Sequence, residues 1–198
     1  MEILPPDDSG IQQAINALRT GQVIAYPTES VYGLGVDPFN PDALEALYKT
    51  KGRDASNPVL MIISSQDQLM RLVETITPAA QSAMDAFWPG PLSLLFTAKK
   101  GLPERLLGGH QKICVRHTNH PIAAALCTAF DGPIISTSAN LYSQNPAQSA
   151  QEINLPDVAL CIDGGVANST PSTVFDPDTG TVLREGAITR IDIANSLF

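Results

Sequence analysis

The apolar run PVLMIIS at residues 58–64 constrains the fold more than any other stretch of the chain. An unbroken apolar run of this length is typical of a strand that is covered on both faces, which requires a further layer on each side of a sheet. Other short apolar runs alternate with helical patterns, and 16 Pro and 14 Gly are spread among them. Many short elements joined by definite turns predict an α/β fold with a mixed sheet.

The predicted elements follow one another along the whole chain. Helices are predicted over residues 9–20, 40–51, 65–73, 77–87, 120–130 and 189–198, with Ser9 and Asn40 as N-caps of the first two. Strands are predicted over residues 22–27, 58–64, 92–98, 112–117, 157–165, 172–176 and 181–185, the last two forming a hairpin, and residues 133–140 are predicted to be a strand that runs into a polar loop. Residues 28–37 are predicted to be a loop and a second extended piece.

Length, charge and cysteine usage limit the class of protein. The 198 residues predict a single domain over 1–198, and 12 Lys+Arg against 20 Asp+Glu argue against a surface that wraps nucleic acid. The chain has no long apolar run, no secretory signal and no CxxC among Cys114, Cys127 and Cys161. We therefore expect a reduced, cytoplasmic protein with no membrane segment and no protein-bound metal.

Three cations crowd together in the stretch YKTKGRDASNP at residues 48–58. Lys49, Lys51 and Arg53 lie within five residues, and Gly52 removes one side chain between them. Such a group suits a polyphosphate, since Arg offers a planar fork and Lys a mobile charge. The alternative is a solvated helix end, where cations interact favourably with the helix dipole.

A polar loop, STSAN at residues 136–140, follows an apolar strand. Ligands of open α/β sheets bind at this position, and Ser136, Thr137, Ser138 and Asn140 offer uncharged side chains that suit phosphate or ribose. The alternative is a turn whose side chains hydrogen-bond its own backbone.

Two further motifs place polar side chains on one face. Thr28, Ser30 and Tyr32 alternate and predict a small polar pocket, unless the segment is a half-exposed edge strand. Lys112, Cys114 and Arg116 also share one face of a strand. Arg184 in the final hairpin is an analogous candidate. Arg116 is well placed to clamp a carboxylate, the alternative being a surface salt bridge.

Taken together, these motifs resemble the TsaC/YrdC family of L-threonylcarbamoyl-AMP synthases. The resemblance covers residues 10–190 and rests on YPTESVYGLG, KGR with NP, WPGPL, VR with HPIA, STSAN, PSTVFD and LREG, in that order. It implies a twisted mixed β-sheet flanked by helices, with a large basic concave cavity.

The resemblance also implies an activity. The family is a group of nucleotidyltransferases that join L-threonine, bicarbonate or CO2, and ATP into threonylcarbamoyl-AMP and pyrophosphate. ATP is a substrate that carries Mg2+, and partner proteins of a threonylcarbamoyl-transferase complex pass the group to an adenosine of tRNA. Direct contact with tRNA is a weaker expectation. The alternative function is a non-enzymatic RNA-binding module that uses the same basic cavity.

Residue roles are implied in the same way. The catalytic set is Lys51, Arg53, Ser138 and Asn140, and ATP would also contact Asn57, Lys112 and Arg184. Threonine would be held by Ser30, Arg116, Ser172 and the backbone of Ser136, with Thr28 and Tyr32 added from the polar pocket. Ile62 stands where some relatives have a histidine near threonine, so that contact is absent here.

Overall fold

The computed structural model describes residues 1–52, 59–168 and 170–197. Two predicted ATP contacts, Arg53 and Asn57, lie outside the described residues. Seven helices are described: α1 (Asp8–Arg19), α2 (Pro41–Lys51), α3 (Gln66–Leu69), α4 (Pro78–Phe87), α5 (Glu104–Leu107), α6 (Pro121–Phe130) and α7 (Arg190–Leu197). The described strands are β1 (Glu2–Leu4), β2 (Val23–Tyr26), β3 (Gly33–Gly35), β4 (Leu60–Ile63), β5 (Leu92–Thr97), β6 (Lys112–His117), β7 (Ile134–Ile135), β8 (Thr137–Ser138), β9 (Val158–Ile162), β10 (Thr173–Asp176) and β11 (Thr181–Arg184).

The strands are divided between two mixed sheets. A five-stranded sheet has the order β1-β9-β2-β3-β8, and a six-stranded sheet has the order β11-β10-β5-β6-β4-β7. Each sheet combines parallel and antiparallel pairs, for example β2 with β9 and β2 with β3 in the smaller one. The predicted α/β class with mixed pairing is confirmed, although the sequence indicated one sheet and not two.

Strand β4 lies between β6 and β7 and is buried on both faces, as its apolar run predicts. Met61 and Ile63 belong to one hydrophobic cluster, while Ile62 belongs to a second that includes Leu18 of α1 and Leu126 of α6. All three strand residues have no solvent exposure. Both clusters contain side chains from both sheets, so the sheets share their core.

Residues 133–140 are predicted as one strand that runs into a polar loop, but the structure forms two short strands there. The extended chain is broken at Ser136, with β7 in the six-stranded sheet and β8 in the five-stranded sheet. The Ser136 N–H donates to the Leu60 carbonyl at 2.8 Å, and the Ile135 N–H donates to Val36 O at 3.1 Å. The segment passes from one sheet to the other because its backbone groups find partners in both. This crossing places the STSAN loop between the sheets.

Two local predictions are corrected and one is confirmed. Helix α1 is capped by Asp7, whose carboxylate accepts the Gly10 N–H at 2.9 Å, and not by Ser9. The helix predicted over 65–73 ends at Leu69, because Val73 pairs with Ala98 in a β-bridge. Residues 28–32 form a loop and Gly33–Gly35 is a strand, as the prediction of a loop and a second extended piece requires.

The caps of two helices agree with the sequence. Asn40 accepts hydrogen bonds from Asp42 N–H and Ala43 N–H at the start of α2. Thr77 caps α4 in the same way, through Ala80 N–H. Across the described ranges, no helix is long and apolar enough to cross a membrane.

Candidate functional site

A cavity of about 800 Å³ lies between the two sheets and is lined by residues of both. Most of the predicted site residues meet on its wall, namely Thr28, Ser30, Tyr32, Lys112, Arg116, Ser136, Ser138, Ser172 and Arg184. The volume is in the range that holds a small-molecule ligand. Polar side chains that are far apart in the sequence therefore share one concave site. That the cavity is basic stays a prediction.

Strand β6 supplies one wall, with the orientation that its alternation predicts. Lys112, Cys114 and Arg116 line the cavity, while Ile113 and Val115 have no solvent exposure and lie in the hydrophobic core. Burial raises the pKa of Cys114 to about 12, with Arg116 and Arg184 acting in the opposite direction. Cys114 is therefore a neutral thiol at physiological pH.

Arg116 is a buried cation with one carboxylate beside it. Its Nε lies 2.8 Å from Oε1 of Glu29, and the two side chains are 2% and 10% exposed. The N–H does not point along the line to the oxygen, so the contact is an ion pair and not a hydrogen bond. The second oxygen of Glu29 accepts a hydrogen bond from Thr118 Oγ1 at 2.7 Å. This burial excludes the alternative of a surface salt bridge.

Arg184 is held at the cavity by Ser172. Its Nη2 donates to the Ser172 carbonyl at 2.8 Å and to the Ser172 hydroxyl at 3.1 Å. The same hydroxyl is 3.0 Å from the Ser93 hydroxyl, which is fully buried. Burial lowers the pKa of Arg184, and the nearby positive charge of Arg116 lowers it further. Arg116 and Arg184 are therefore near enough for their charges to interact.

Lys112 is paired with two carboxylates at the edge of the cavity. Its Nζ lies 2.6 Å from Asp176 Oδ1 and 2.9 Å from Asp178 Oδ2. Burial acts to lower the pKa of Lys112, but the hydrogen bonds to both carboxylates outweigh it and the pKa is raised. Lys112 thereby ties β6 to the hairpin that carries Arg184.

Lys51 lies behind the cavity wall. Its side chain is buried, and Nζ donates to Ser138 O at 2.6 Å and to Asn140 O at 3.2 Å. Gly52 ends α2 in the left-handed region, with φ of 60°. The interpretation as a solvated helix end is therefore wrong for Lys51. It describes Lys49 correctly, since that side chain is 76% exposed and pairs with Asp157.

Some residues of the STSAN loop face the cavity, and others hydrogen-bond the backbone of the loop itself, so each of the two alternative interpretations holds for part of the loop. Ser136 and Ser138 line the cavity. Asn140 instead donates through Nδ2 to the carbonyls of Leu141 and Gln144, both at 2.8 Å, which is the behaviour of a turn. Its Oδ1 is buried and has no hydrogen-bond partner among the described residues. Neither Asn140 nor Lys51 reaches the cavity wall in the part of the chain that the structure describes.

The Thr28, Ser30 and Tyr32 side chains line the cavity from a loop and not from an extended strand. Thr28 Oγ1 donates to Val31 O at 2.7 Å and lies 3.0 Å from Ser30 Oγ. The Tyr32 hydroxyl donates to Gly165 O at 2.8 Å, so its polar end has a structural partner. Ser30 is the hydroxyl of the three with the fewest local bonds.

Three residues at the site were missed by sequence reasoning. Glu29, Thr118 and Ser93 hold Arg116 or Ser172 in place without having been assigned a role. Ser93 could have been found as the single polar residue within the apolar stretch LSLLF of β5. Glu29 stood beside three candidate residues, but its partner is 87 positions away in the chain and no local pattern connects them.

Clusters of metal-ligating side chains would mark a metal site. Within the described ranges, no three His, Cys, Asp or Glu side chains are grouped so that they could hold a metal ion. The three cysteines are free and buried. The absence of a protein-bound metal stays a prediction.

Two mixed sheets around a cavity that is lined by two arginines and several serines define an α/β protein with a cavity of small-molecule size. The chain belongs to the Sua5/YciO/YrdC family, whose model, described as "Telomere recombination", matches residues 16–186. This finding confirms the resemblance that the sequence motifs indicate.

Individual relatives agree with this assignment. The threonylcarbamoyl-AMP synthase of Methylococcus capsulatus is 38% identical over 178 residues, which cover 88% of this chain and 96% of the relative. The crystal structure of P. abyssi Sua5 complexed with L-threonine is similar with a TM-score of 0.92 and 31% identity, over 99% of this chain. The chain spans 59% of the length of that protein. E. coli YciO is similar with a TM-score of 0.83 and 30% identity, over 94% of this chain and 95% of that one.

Proposed function

We propose that this chain is an L-threonylcarbamoyladenylate synthase, a nucleotidyltransferase that joins L-threonine, bicarbonate or CO2, and ATP into threonylcarbamoyl-AMP and pyrophosphate. The observation that carries the proposal is that two arginines with different partners line one cavity, the buried Arg116 and the solvent-exposed Arg184. Arg116 lies beside Glu29, and Arg184 is bonded to Ser172. Such a cavity offers one place for a carboxylate and another for a phosphate chain. The names of the relatives support the same reaction.

The threonine half of the site is built around Arg116. Its guanidinium pairs with the α-carboxylate of the substrate, for which a planar fork is suited. Ser30 and Ser172 supply hydroxyls to the same region, together with Thr28 and Tyr32. The Ser136 N–H is already bonded to Leu60 O, so Ser136 would act through its carbonyl or hydroxyl. Ile62 is paired in register with Arg116 but is fully buried in the core.

The ATP half involves Lys51, Ser138, Asn140, Lys112 and Arg184, with Arg53 and Asn57 outside the described residues. Arg184 and Ser138 line the cavity directly, so they would contact the nucleotide. Lys51 and Asn140 shape the Ser138 loop from behind, through the bonds that join them to its backbone. A bound triphosphate would also attract the Lys51 ammonium, which is mobile on its four-carbon stem.

The reaction needs positioning more than a covalent nucleophile. The threonine ammonium loses one proton, and the resulting amine adds to CO2 and releases a second proton to give a carbamate. A carbamate oxygen then attacks the α-phosphorus of ATP, and the bond to pyrophosphate breaks. Charge grows on the leaving pyrophosphate, so the cations on the ATP side stabilise the transition state. The cavity limits access of water, which would destroy both the carbamate and the adenylate.

Mg2+ would enter with ATP as part of that substrate. The described residues offer no group of carboxylates that would hold it independently. Its chemistry is to neutralise phosphate charge, and this chain's part is to hold the nucleotide through its own cations and hydroxyls.

The remaining expectations complete the proposal. Residues 1–198 act as one domain, which the core shared by the two sheets supports. The product serves N6-threonylcarbamoyladenosine formation in tRNA, through a cytoplasmic transferase complex whose proteins are the partners of this chain. The alternative function, a non-enzymatic RNA-binding module, gains no support from a cavity of about 800 Å³, a size suited to small molecules.

Pyrophosphate release tests the proposal. Purified protein is incubated with Mg·ATP, L-threonine and bicarbonate, and each component is omitted in turn. We expect release that requires both threonine and bicarbonate. Release that does not respond to threonine, or no release, would overturn the proposal.

A further inference from the structure

The cations on the cavity wall differ in how their charge is compensated. Arg116 has Glu29 at 2.8 Å, and Lys112 has Asp176 and Asp178 within 2.9 Å. Arg184 donates to Ser172 and, within the described ranges, forms no ion pair. A bound anion therefore meets Arg116, whose charge is balanced by a carboxylate, at one place in the cavity. At another place it meets Arg184, whose charge no carboxylate among the described residues balances.

This difference separates anions by their charge. The Arg116 and Glu29 side chains are 2% and 10% exposed, so solvent screens their fields only weakly. A monoanion that pairs with Arg116 is opposed by one carboxylate, but a phosphate group carries up to two charges and is repelled more strongly. The same phosphate meets no such repulsion at Arg184.

Glu29 is fixed so that it cannot turn away from Arg116. Its Oε2 accepts the Thr118 hydroxyl at 2.7 Å, and Thr118 is itself 2% exposed. The Thr118 N–H is bonded to Ile63 O of β4, which anchors the residue to the sheet. Glu29 is absent from the cavity wall, although Arg116 is on it. Glu29 therefore acts on a ligand through Arg116 and through its charge.

We propose that Glu29 is a specificity-determining residue that keeps the Arg116 end of the cavity selective for the single charge of an amino-acid carboxylate and against phosphate. This inference rests on the proposed function, because it assigns the Arg116 end to threonine. It explains how one cavity can direct two anionic substrates to different arginines. Without Glu29, free phosphate and the phosphates of ATP would compete for Arg116.

Calorimetric titration of the full chain with L-threonine tests the inference, at constant ionic strength and with or without millimolar inorganic phosphate. In the wild-type protein we expect phosphate to change the threonine Kd by less than about twofold. In Glu29→Gln, which keeps the shape of the side chain, we expect phosphate to raise the apparent threonine Kd at least about fivefold. Glu45→Gln is the matched control, since Glu45 also pairs with an arginine, Arg105, but on the exposed surface.

The outcomes separate this inference from the proposed function. Equal sensitivity to phosphate in wild type and Glu29→Gln would overturn the inference, as would phosphate sensitivity in Glu45→Gln to the same degree as in Glu29→Gln. If Glu29→Gln does not fold, the same titration is made with Thr118→Val, which removes the hydrogen bond to Oε2 of Glu29. Increased sensitivity of threonine binding to phosphate in Thr118→Val supports the inference, and unchanged sensitivity overturns it. Wild-type protein that neither binds threonine nor releases pyrophosphate in response to it would overturn the proposed function itself.

Discussion

The ammonium of Lys51 lies 2.6 Å from the carbonyl oxygen of Ser138, although the two residues are 87 positions apart in the chain. This contact joins the end of α2 to the loop that follows the crossing between the two sheets. Lys51 also donates to Asn140 O, and its own carbonyl accepts the Tyr142 N–H at 3.0 Å. Two motifs that the sequence keeps apart therefore form one unit beside the cavity.

Replacing Lys51 with alanine should slow the reaction strongly. The variant loses a cation beside the phosphate site and the clamp on the Ser138 loop, so kcat should fall on the order of 10²–10³-fold. Steady-state pyrophosphate release measures this effect. Lys49→Ala is the matched control, because Lys49 is exposed on the same helix end and pairs with Asp157. Equal loss of activity in both variants would contradict the role given to Lys51.

Replacing Arg116 with lysine should weaken threonine binding although the charge is kept. Lysine lacks the planar fork and cannot pair with a carboxylate through two parallel hydrogen bonds. We expect KM for threonine to rise on the order of tenfold or more, with KM for ATP nearly unchanged. The two constants are measured with the other substrate saturating. A rise in KM for ATP with normal KM for threonine would mean that Arg116 serves the nucleotide.

Replacing Lys112 with alanine should destabilise the protein. The Asp176 side chain is 11% exposed and would lose its cation, which we expect to lower the free energy of unfolding by about 1–3 kcal/mol. Chemical denaturation measures the change, with the exposed Lys100→Ala as the control of equal charge. Unchanged stability in Lys112→Ala would show that the pair contributes nothing to the attachment of the final hairpin.

Stability should fall as the pH is lowered through the titration range of histidine. Burial lowers the pKa of both His117 and His120, with Glu29 acting in the opposite direction on each. A histidine whose pKa is lower in the folded state favours folding above its unfolded pKa of about 6.5, and this contribution is lost as the pH falls below that value. Thermal melts from about pH 7.5 to about pH 5.5 should therefore show a decreasing Tm. In the double variant His117→Gln/His120→Gln the decrease should be smaller, and an identical decrease would contradict this explanation.

The sequence predicted those features of the fold that depend on residues close together in the chain. The Asn40 cap, the shared face of Lys112, Cys114 and Arg116, and the double burial of β4 all depend on spacing within a few residues. They were confirmed because short-range geometry sets them.

The errors arise where distant parts of the chain decide the local structure. The segment predicted as a strand and a polar loop over 133–140 forms two short strands, because each of them finds its hydrogen-bond partners in a different sheet. The helix after Ser65 ends early because Val73 pairs with Ala98. In the same way, the pairing of Arg116 with Glu29 depends on the positions of two sheets, and neither motif contains it. Most of the site candidates identified from the sequence lie on the cavity wall, but the sequence did not indicate which groups compensate the charges there.

The proposed reaction joins a carbamate of threonine to AMP in this cavity. The decisive measurement supplies 13C-bicarbonate with L-threonine and Mg·ATP, and follows the product by mass spectrometry. We expect a threonylcarbamoyl-AMP that carries the 13C label in wild-type protein and in Lys49→Ala, and almost none in Lys51→Ala. Wild-type protein that consumes ATP without forming a labelled adenylate would contradict the proposed reaction.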